Sequence, residues 1–551
     1  KHVTSLVSQI IAMKTRIKIL LSAIALVVGT SNLVAQTDNY PDATVLDNRI
    51  TQSTTLTNDT VWRLSGYTFV ITPDGASEPT TLTIEPGTLI VGEAGQASDA
   101  SALIITRGAM IDARGTRNAP IIMTSIVDPQ DGSVDETATG LWGGLLILGA
   151  APLNSAGESG DTTAPIEDQI EGVDVADPDI PLITYGGEDE DDSSGYLHYV
   201  SVRHGGIDIG AGNEINGISF GGVGRGTSVH HVEVFANQDD GLEFFGGTVD
   251  VKYASVSFAY DDSYDWDQGW NGRGQFWFNL QKDNAAVDSD LVSDKGGEWD
   301  GETADNGLNQ GGSNIANLTF IGMASSANPG TAFNWRDNTF SAVWNSVVLD
   351  YDRLVVVEAD NNTALTAGDN DFIQTTFWSH VGANNTVADA IDPDTPDGTG
   401  TDDDGDPLPD NVTPLTDILD DADAVAFADP LLVGVSRSKD GGLDPRPTAG
   451  SPLLTAPVAT LPNDGFYMQT SYRGAFGPDV NWLKGWTALD DLGYLAEGGE
   501  PLALSEFSGI STRGFVGQGD FQTLNTSVII RGDEPLNVLF RARGPSINLP
   551  D

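Results

Sequence analysis

Short runs of β-branched and aromatic residues alternate with turns rich in Gly, Asp and Asn along residues 195–271. These runs include Tyr196–Val202, Val229–Phe235 and Val249–Phe258, and equivalent runs recur about every 20 to 30 residues. No apolar pattern with the helical period separates them. A repeat of this length predicts a right-handed parallel β-helix, an all-β solenoid in which each coil buries its inward face by stacking on its neighbours.

The same pattern of residue types divides the chain into regions. Residues 81–490 are predicted to form the β-helix with acidic loop insertions, and residues 36–80 an N-terminal cap region. Within the β-helix, the Asp- and Pro-rich segment 384–421 is predicted to be a loop, and the aromatic segment 474–486 a cap on the last open coil. Residues 500–551 alternate like antiparallel strands, which predicts a small C-terminal β-domain that the given sequence truncates.

The N-terminal region has the pattern of a secretory signal peptide. Within residues 13–35, the basic segment Met13–Lys18 precedes the apolar run Ile19–Gly29. Residues 1–12 precede the first Met and are interpreted as an upstream leader outside the native protein. The apolar run is shorter than the about 20 residues that span a bilayer, and no later segment approaches that length. We therefore expect a secreted protein, extracellular or on the outer cell surface, whose mature chain has no membrane-spanning segment.

Charge and cysteine content restrict the partners. The formal net charge is −54, and the chain shows no basic stripe that could replace counterions on phosphate, so nucleic acid is excluded as a partner. An acidic polysaccharide would need a bridging cation. The chain contains no cysteine, so a secreted protein of this length must be stabilised by its core, to which metal ions could add, because disulfides cannot form.

Several motifs in the predicted coils resemble a family of large secreted proteins of Gram-negative bacteria, found in Bacteroidota and Verrucomicrobiota-type organisms. These motifs are Gly140–Gly149, Leu197–Gly206, Glu214–Gly224, Asn237–Val249 and Asp261–Gly269. The resemblance covers about residues 81–490 and implies a right-handed parallel β-helix, often followed by C-terminal sorting or β-sandwich modules. It implies no known activity.

The strongest candidate site is rich in carboxylates. Asp239-Asp240 and Asp261-Asp262 lie 22 residues apart, so on coils of that length the two pairs are expected to lie one above the other at about 4.8 Å. The residues that could complete a metal site are Glu243, Asp265 and Asp267. Carboxylates at this spacing repel one another unless they take up protons or bind a cation, and Ca²⁺ prefers such oxygen ligands.

Two other interpretations of these acidic residues stay open. Their side chains could cap the turns in which they lie. Alternatively, Asp239, Asp240, Asp261 and Asp262 could act as general acid and base, because polygalacturonases, which share the β-helix fold, place stacked Asp residues around a water. A calcium-dependent lyase would also need a basic residue to remove a proton, and Arg273 and Lys282 are the nearby candidates.

Three further features bear on possible binding sites. Tyr264, Trp266 and Trp270 are candidates for stacking on a glycan, although aromatic residues also fill solenoid interiors. His230-His231 is expected not to share a metal ion, because neighbouring side chains of a strand point to opposite faces. A weaker calcium site, or a flexible acidic loop, is predicted at Asp402, Asp404 and Asp406.

These features predict a secreted, calcium-stabilised and non-catalytic β-helix that acts in adhesion or glycan binding at the cell surface or in the extracellular matrix. The first alternative is a polysaccharide lyase or glycoside hydrolase that uses the stacked Asp pairs. The second is a self-associating subunit of an extracellular sheath or filament.

Overall fold

The structure is a computed structural model, and it describes residues 37–95, 100–155, 166–209, 214–287, 291–301, 311–328, 330–381, 385–401, 405 and 407–499, together with two strands near the C-terminus. The predicted leader, the signal peptide at 13–35 and Asp402, Asp404 and Asp406 lie outside the described residues. Among the described residues, no helix is both long and apolar enough to cross a membrane.

Most of the described residues between Thr44 and Phe427 belong to coils made of short strands. The first coils contain β1 (Thr44–Val45), β2 (Arg49–Ile50), β3 (Thr54–Leu56), β4 (Trp62–Leu64), β5 (Tyr67–Val70), β6 (Thr81–Ile84), β7 (Leu89–Gly92), β8 (Ala102–Ile105), β9 (Met110–Arg114), β10 (Ile121–Ser125) and β11 (Leu145–Leu148). An insertion then carries β12 (Asp168–Gln169), a 3-10 helix (Asp177–Leu182) and β13 (Thr184–Tyr185).

The central coils have the longest strands. They contain β14 (Gly195–Arg203), β15 (Ile207–Asp208), β16 (Glu214–Ile215), β17 (Ile218–Gly221), β18 (Ser228–Asn237), β19 (Leu242–Phe245), β20 (Val251–Ala259), β21 (Tyr264–Asp267), β22 (Arg273–Leu280) and β23 (Lys295–Asp300).

The later coils add short helices. They contain β24 (Asn314–Ala316), β25 (Thr319–Ile321), β26 (Thr331–Arg336), β27 (Ala342–Trp344), β28 (Val347–Leu349), β29 (Arg353–Val357), a 3-10 helix (Ala359–Asn361), α1 (Asn362–Ala367), β30 (Asp371–Ile373), β31 (Thr375–Trp378), α2 (Val387–Ala390), α3 (Val412–Leu419) and β32 (Val425–Phe427). The last part of the chain contains β33 (Leu432–Val435), β34 (Leu443–Pro447), a 3-10 helix (Pro452–Leu454), α4 (Ala488–Asp491), β35 (Glu506–Ser511) and β36 (Ser527–Arg531).

The coil strands form three parallel faces. Face 1 contains β3, β6, β9, the first halves of β14, β18, β20 and β22, and then β24, β27 and β30. Face 2 contains β1, β4, β7, β10, the second halves of the same long strands, and then β25, β28, β31 and β32. Face 3 contains β2, β5, β8, β11, β17, β19, β21, β23, β26 and β29. The predicted all-β right-handed parallel β-helix is confirmed.

From β14 onward, the corner between faces 1 and 2 is a single left-handed residue in each coil. Tyr199, His231, Tyr253 and Phe276 have φ values of 51°, 53°, 59° and 61°, and Asn317 continues the row at 56°. A non-glycine residue in this region costs of order 1 kcal/mol or more, so the surroundings must compensate. The four rings stack on one another at centroid distances of 4.3, 4.4 and 4.8 Å. This stacking is the stabilising contact that offsets the backbone cost.

The ends of the solenoid differ from the prediction. Residues 36–80 are not only a cap, because β1 to β5 already pair in parallel with the next coil. At the other end, the buried leucines Leu365, Leu415 and Leu419 join the main core from α1 and α3. The C-terminal cap therefore lies partly in segment 384–421, which we predicted to be a loop.

Residues 429–499 form a segment that we call the strap, since it returns along the outside of the coils. Its Gly474 N–H donates to the carbonyl of Asn345 (2.7 Å), and further on Ala488 N–H donates to the buried Glu233 (2.8 Å). The aromatic residues Trp482 and Trp486 pack against side chains of faces 1 and 2. The prediction that 474–486 caps the last coil was therefore wrong, because this segment covers the flank of the central coils.

Near the C-terminus, β35 and β36 pair antiparallel. The small C-terminal β-domain predicted for residues 500–551 stays a prediction.

Candidate metal centre

Face 3 carries carboxylates on its outer side in the central coils. Glu243 pairs in register with Asp265, which pairs with Glu298 on the next strand. Their neighbours along the strands, Trp266 and Trp299, are fully buried in the core. Because side chains alternate across a strand, the same pleat that directs the tryptophans inward directs the carboxylates outward, one above the other.

The turn that leads into face 3 adds the two predicted Asp pairs. The Asp262 N–H donates to Asp240 Oδ1 (2.7 Å), and the Lys295 N–H donates to Asp262 Oδ1 (2.5 Å). Each carboxyl group therefore caps the backbone of the following coil, and the pairs lie one above the other, as the spacing of 22 residues predicted. The turn-capping interpretation accounts for one oxygen of each of these two residues.

The carboxylates form three overlapping groups in which one oxygen per residue lies within 4.8 Å of the others. The groups are Asp239, Asp240 and Asp261; Asp240, Glu243 and Asp265; and Asp261, Asp262 and Asp294. We call these seven residues the acidic wall. Asp240 and Asp261 each belong to two groups, so a cation bound in one group would lie close to the next.

Burial makes the repulsion within the acidic wall costly. Burial first, and then the neighbouring charges of Asp239 and Asp261, raise the pKa of Asp240 well above its usual range. Burial and the charges of Glu171 and Asp265 likewise raise the pKa of Glu243. At neutral pH such carboxylates must keep protons or be neutralised by a cation.

One oxygen of the acidic wall has no hydrogen-bond partner among the described residues. Asp265 Oδ1 is buried, and no donor reaches it. Its neighbour Glu243 accepts a hydrogen bond from the Asn216 side chain. A buried oxygen without a donor is costly, and a coordinated cation would satisfy it.

A comparison with protein families matches residues 48–404 to the pectate-lyase-like β-helix domain. The match spans more than half of the chain. The chain belongs to the pectate-lyase-like β-helix family. No curated protein and no solved structure gave a match.

In this pectate-lyase-like β-helix the acidic wall lies wholly inside the matched region. Six of the seven residues predicted as metal ligands belong to it, namely Asp239, Asp240, Glu243, Asp261, Asp262 and Asp265. The seventh, Asp267, lies on the same strand as Asp265 but in none of the three groups, and its carboxylate accepts the Gln268 N–H. Metal binding itself stays a prediction.

Sequence reasoning missed Asp294. It lies one coil beyond Asp261, at the equivalent place before face 3, and its oxygen joins the third group. The coil that separates them is 33 residues long instead of 22, so the constant spacing that identified the Asp pairs fails here. The dipeptide Ser293-Asp294 directly before β23 was the available signal.

The glycan-stacking prediction was wrong for the three aromatic residues. Tyr264, Trp266 and Trp270 are fully buried inside the pectate-lyase-like β-helix, where Trp266 stacks on Trp299 at 4.1 Å. A sugar outside the coils cannot reach these rings.

For the histidine pair, the assumption that the two side chains point to opposite faces was wrong, while the expectation that they share no metal ion stays a prediction. The Nδ1 atoms of His230 and His231 lie 3.1 Å apart, because His231 occupies the left-handed corner and breaks the strand alternation.

Proposed function

We propose that this chain is an extracellular, non-catalytic β-helix protein that binds calcium on the acidic wall and, through the bound calcium, acidic glycans. Membership of the pectate-lyase-like family supports a carbohydrate-related protein outside the cell. The observation that carries the calcium assignment is the set of three overlapping carboxylate groups with the partnerless Asp265 oxygen at one of them. Calcium takes six to eight oxygen ligands, and water and ligand oxygens would complete each site.

A cleft next to the acidic wall supports the glycan part of the proposal. It has a volume of about 730 Å³ and is lined by polar residues that include Asp294, Lys295, Asn334 and Asp392. Asp294 belongs both to this cleft and to the third carboxylate group. A calcium ion held there would present open coordination positions to a carboxylate of a sugar in the cleft. The protein's own negative charge would otherwise repel such a ligand.

The basic residues around the acidic wall argue against a lyase. Burial acts to lower the pKa of Lys295, whereas Asp262 and Asp294 raise it, and the ammonium is paired with Asp294 (2.7 Å) and is not a free base. Arg336 pairs with Glu298 (2.7 Å).

The two basic residues predicted from the sequence are also engaged. Arg273 pairs with Asp250 and with Asp464 of the strap, and Lys282 pairs with Glu136. Among the described residues near the acidic wall, none is therefore an unpaired base.

The test measures retention of the protein on immobilised polygalacturonate with calcium and with chelator. We expect calcium to increase retention, chelator to remove that increase, and the Asp294→Asn variant to show a much smaller increase. Asp420→Asn is the matched control, since Asp420 is an exposed carboxylate that follows α3, away from the acidic wall. Retention that calcium does not increase, or a full calcium response of Asp294→Asn, would contradict the proposal.

A second measurement separates binding from cleavage. New reducing ends or unsaturated products are assayed after incubation with acidic and neutral polysaccharides in calcium. The proposal expects none. Products that disappear in Asp261→Asn or Asp262→Asn would establish the lyase or hydrolase alternative instead.

A further inference from the structure

Face 1 carries a column of basic and imidazole side chains on a protein that is otherwise strongly acidic. Arg114, His198, His230 and Lys252 pair in register on four successive coils. The column rises by one strand spacing, about 4.8 Å, per coil. It lies on a different face from the acidic wall, so the two surfaces are separate.

A cleft of about 500 Å³ opens where this column meets the strap. Its lining includes Arg225, His230, Lys252, Tyr253 and Phe466. The Phe466 ring comes from the strap and forms one wall, and the Lys252 ammonium lies 4.5 Å from its centroid.

The Phe466 wall is held in place by charges. The Arg273 guanidinium lies 4.8 Å from the ring centroid, and it pairs with Asp250 on the coil and with Asp464 on the strap (2.6 Å). An aromatic surface positioned in advance loses little conformational entropy when a ligand binds to it.

Of the two cations that line the cleft, Lys252 has no ion pair within the described part of the chain and Arg225 has one long ion pair. No carboxylate among the described residues forms an ion pair with Lys252, whose ammonium donates to the Phe466 carbonyl. Burial lowers its pKa, although the charge of Asp250 acts in the opposite direction. Arg225 is 37% exposed and forms a long ion pair with Glu190 (3.7 Å). Asp250 also lines the cleft, and its carboxylate is paired with Arg273. A bound anion would therefore compensate Lys252 and add a second partner to Arg225.

The imidazole of His230 adds an uncharged ring to the lining of the cleft. His230 stacks on His198 of the preceding coil at 3.7 Å. Burial first lowers the pKa of His230 to about 4, so the ring is neutral at physiological pH. A neutral imidazole presents an apolar face together with hydrogen-bonding nitrogens, which suits a sugar ring with its hydroxyl groups.

We propose that this cleft is a second glycan site, which binds a uronic acid sugar directly and without calcium. The sugar carboxylate would pair with Lys252 and Arg225, and its ring would pack against Phe466 and Tyr253. Arginine recognises a carboxylate by paired hydrogen bonds, and aromatic rings supply the apolar contact. This inference does not rest on the calcium site, because the two sites use opposite charges for the same class of ligand.

The test is calorimetric titration of the full chain with trigalacturonate in chelator, with maltotriose as the neutral comparison. Chelator removes calcium and so abolishes any binding that depends on a calcium bridge. We expect trigalacturonate to bind at least tenfold more tightly than maltotriose. Lys252→Gln and Arg225→Gln should each weaken binding of the acid about tenfold to a hundredfold, since each removes a charge-assisted hydrogen bond. Lys439→Gln, a charge-matched change outside the cleft, should leave binding unchanged.

Three results would overturn the inference: no binding in chelator, equal binding of the neutral sugar, or unchanged affinity in both cleft variants. Binding that appears only when calcium is added would assign the ligand to the acidic wall alone. Because Arg225 is a surface residue, its variant should keep the wild-type melting temperature, so loss of binding in that variant reports on the site rather than on folding.

Discussion

Replacing Asp240 with asparagine removes the carboxylate that two of the three metal-binding groups share. The side chain keeps its size, and its remaining oxygen can still accept the Asp262 N–H that Asp240 Oδ1 now accepts at 2.7 Å. The substitution therefore tests the charge of the site without removing the hydrogen bond that joins the two coils.

The size of the effect follows from binding linkage. At a free calcium concentration one hundred times Kd, one bound ion adds about 2.7 kcal/mol to the free energy of unfolding. For the coils between Thr44 and Phe427, the unfolding entropy is about 0.8 kcal/mol/K at about 2.1 cal/mol/K per residue. One bound ion should therefore raise Tm by about 3 °C. Asp240→Asn should abolish this rise for an ion bound in either carboxylate group that contains Asp240.

The sign of the effect reverses in chelator. Without a cation, the buried Asp240 carboxyl group is destabilised by burial and by Asp239 and Asp261, which is why its pKa is raised. A neutral amide avoids this repulsion, so the variant should melt at a higher temperature than the wild type at pH 8 in chelator. In calcium, the wild type should be the more stable protein.

The assay is thermal unfolding followed by circular dichroism, with calcium and with chelator, for the wild type, Asp240→Asn and the control Asp420→Asn. The reasoning is refuted if calcium leaves the wild-type Tm unchanged, or if Asp240→Asn keeps the full calcium response. The control should respond like the wild type.

Three further predictions concern stability. Trp266→Ala should lower the free energy of unfolding by about 3 to 5 kcal/mol in chemical denaturation, because it empties a fully buried position; a loss below 1 kcal/mol would contradict the burial. Asn345→Ala should increase hydrogen exchange in strap residues near 459, since its side chain both donates to and accepts from that backbone (2.9 and 2.7 Å), whereas the exposed Asn463→Ala should not. Burial, opposed by Arg203, raises the pKa of Glu233 to about 7. The folded-state pKa then lies above the unfolded value, so the stability that the protonated Glu233 contributes is lost as pH rises from about 4.5 to 7. Glu233→Gln should flatten this fall by about 3 kcal/mol in denaturation curves measured across that range, and an unchanged slope would reject the assignment.

The local pattern of apolar and polar residues determined the repeating coils of this protein. In a β-helix each coil pairs with the next in a constant register, so the 22-residue spacing of the Asp pairs translated directly into stacked carboxylates. The pattern of the run Tyr264-Asp265-Trp266-Asp267 also predicts which way its aromatic rings point. With the two carboxylates outward, strand alternation sends Tyr264 and Trp266 into the core, where the structure places them. The glycan-stacking prediction for these rings ignored that alternation.

Only the tertiary structure decided the features that break the repeat. A coil of 33 residues hides the equivalence of Asp294 and Asp261, because loop length is not constrained by the register of the strands on either side. His231 turns a strand into a corner, and rings from the coils on both sides stack on it and help to stabilise its left-handed backbone. The position of the strap depends on contacts between residues as distant as Ala488 and Glu233. Such long-range contacts leave no periodic signal in the sequence, since they are selected by packing between segments and not by local conformation.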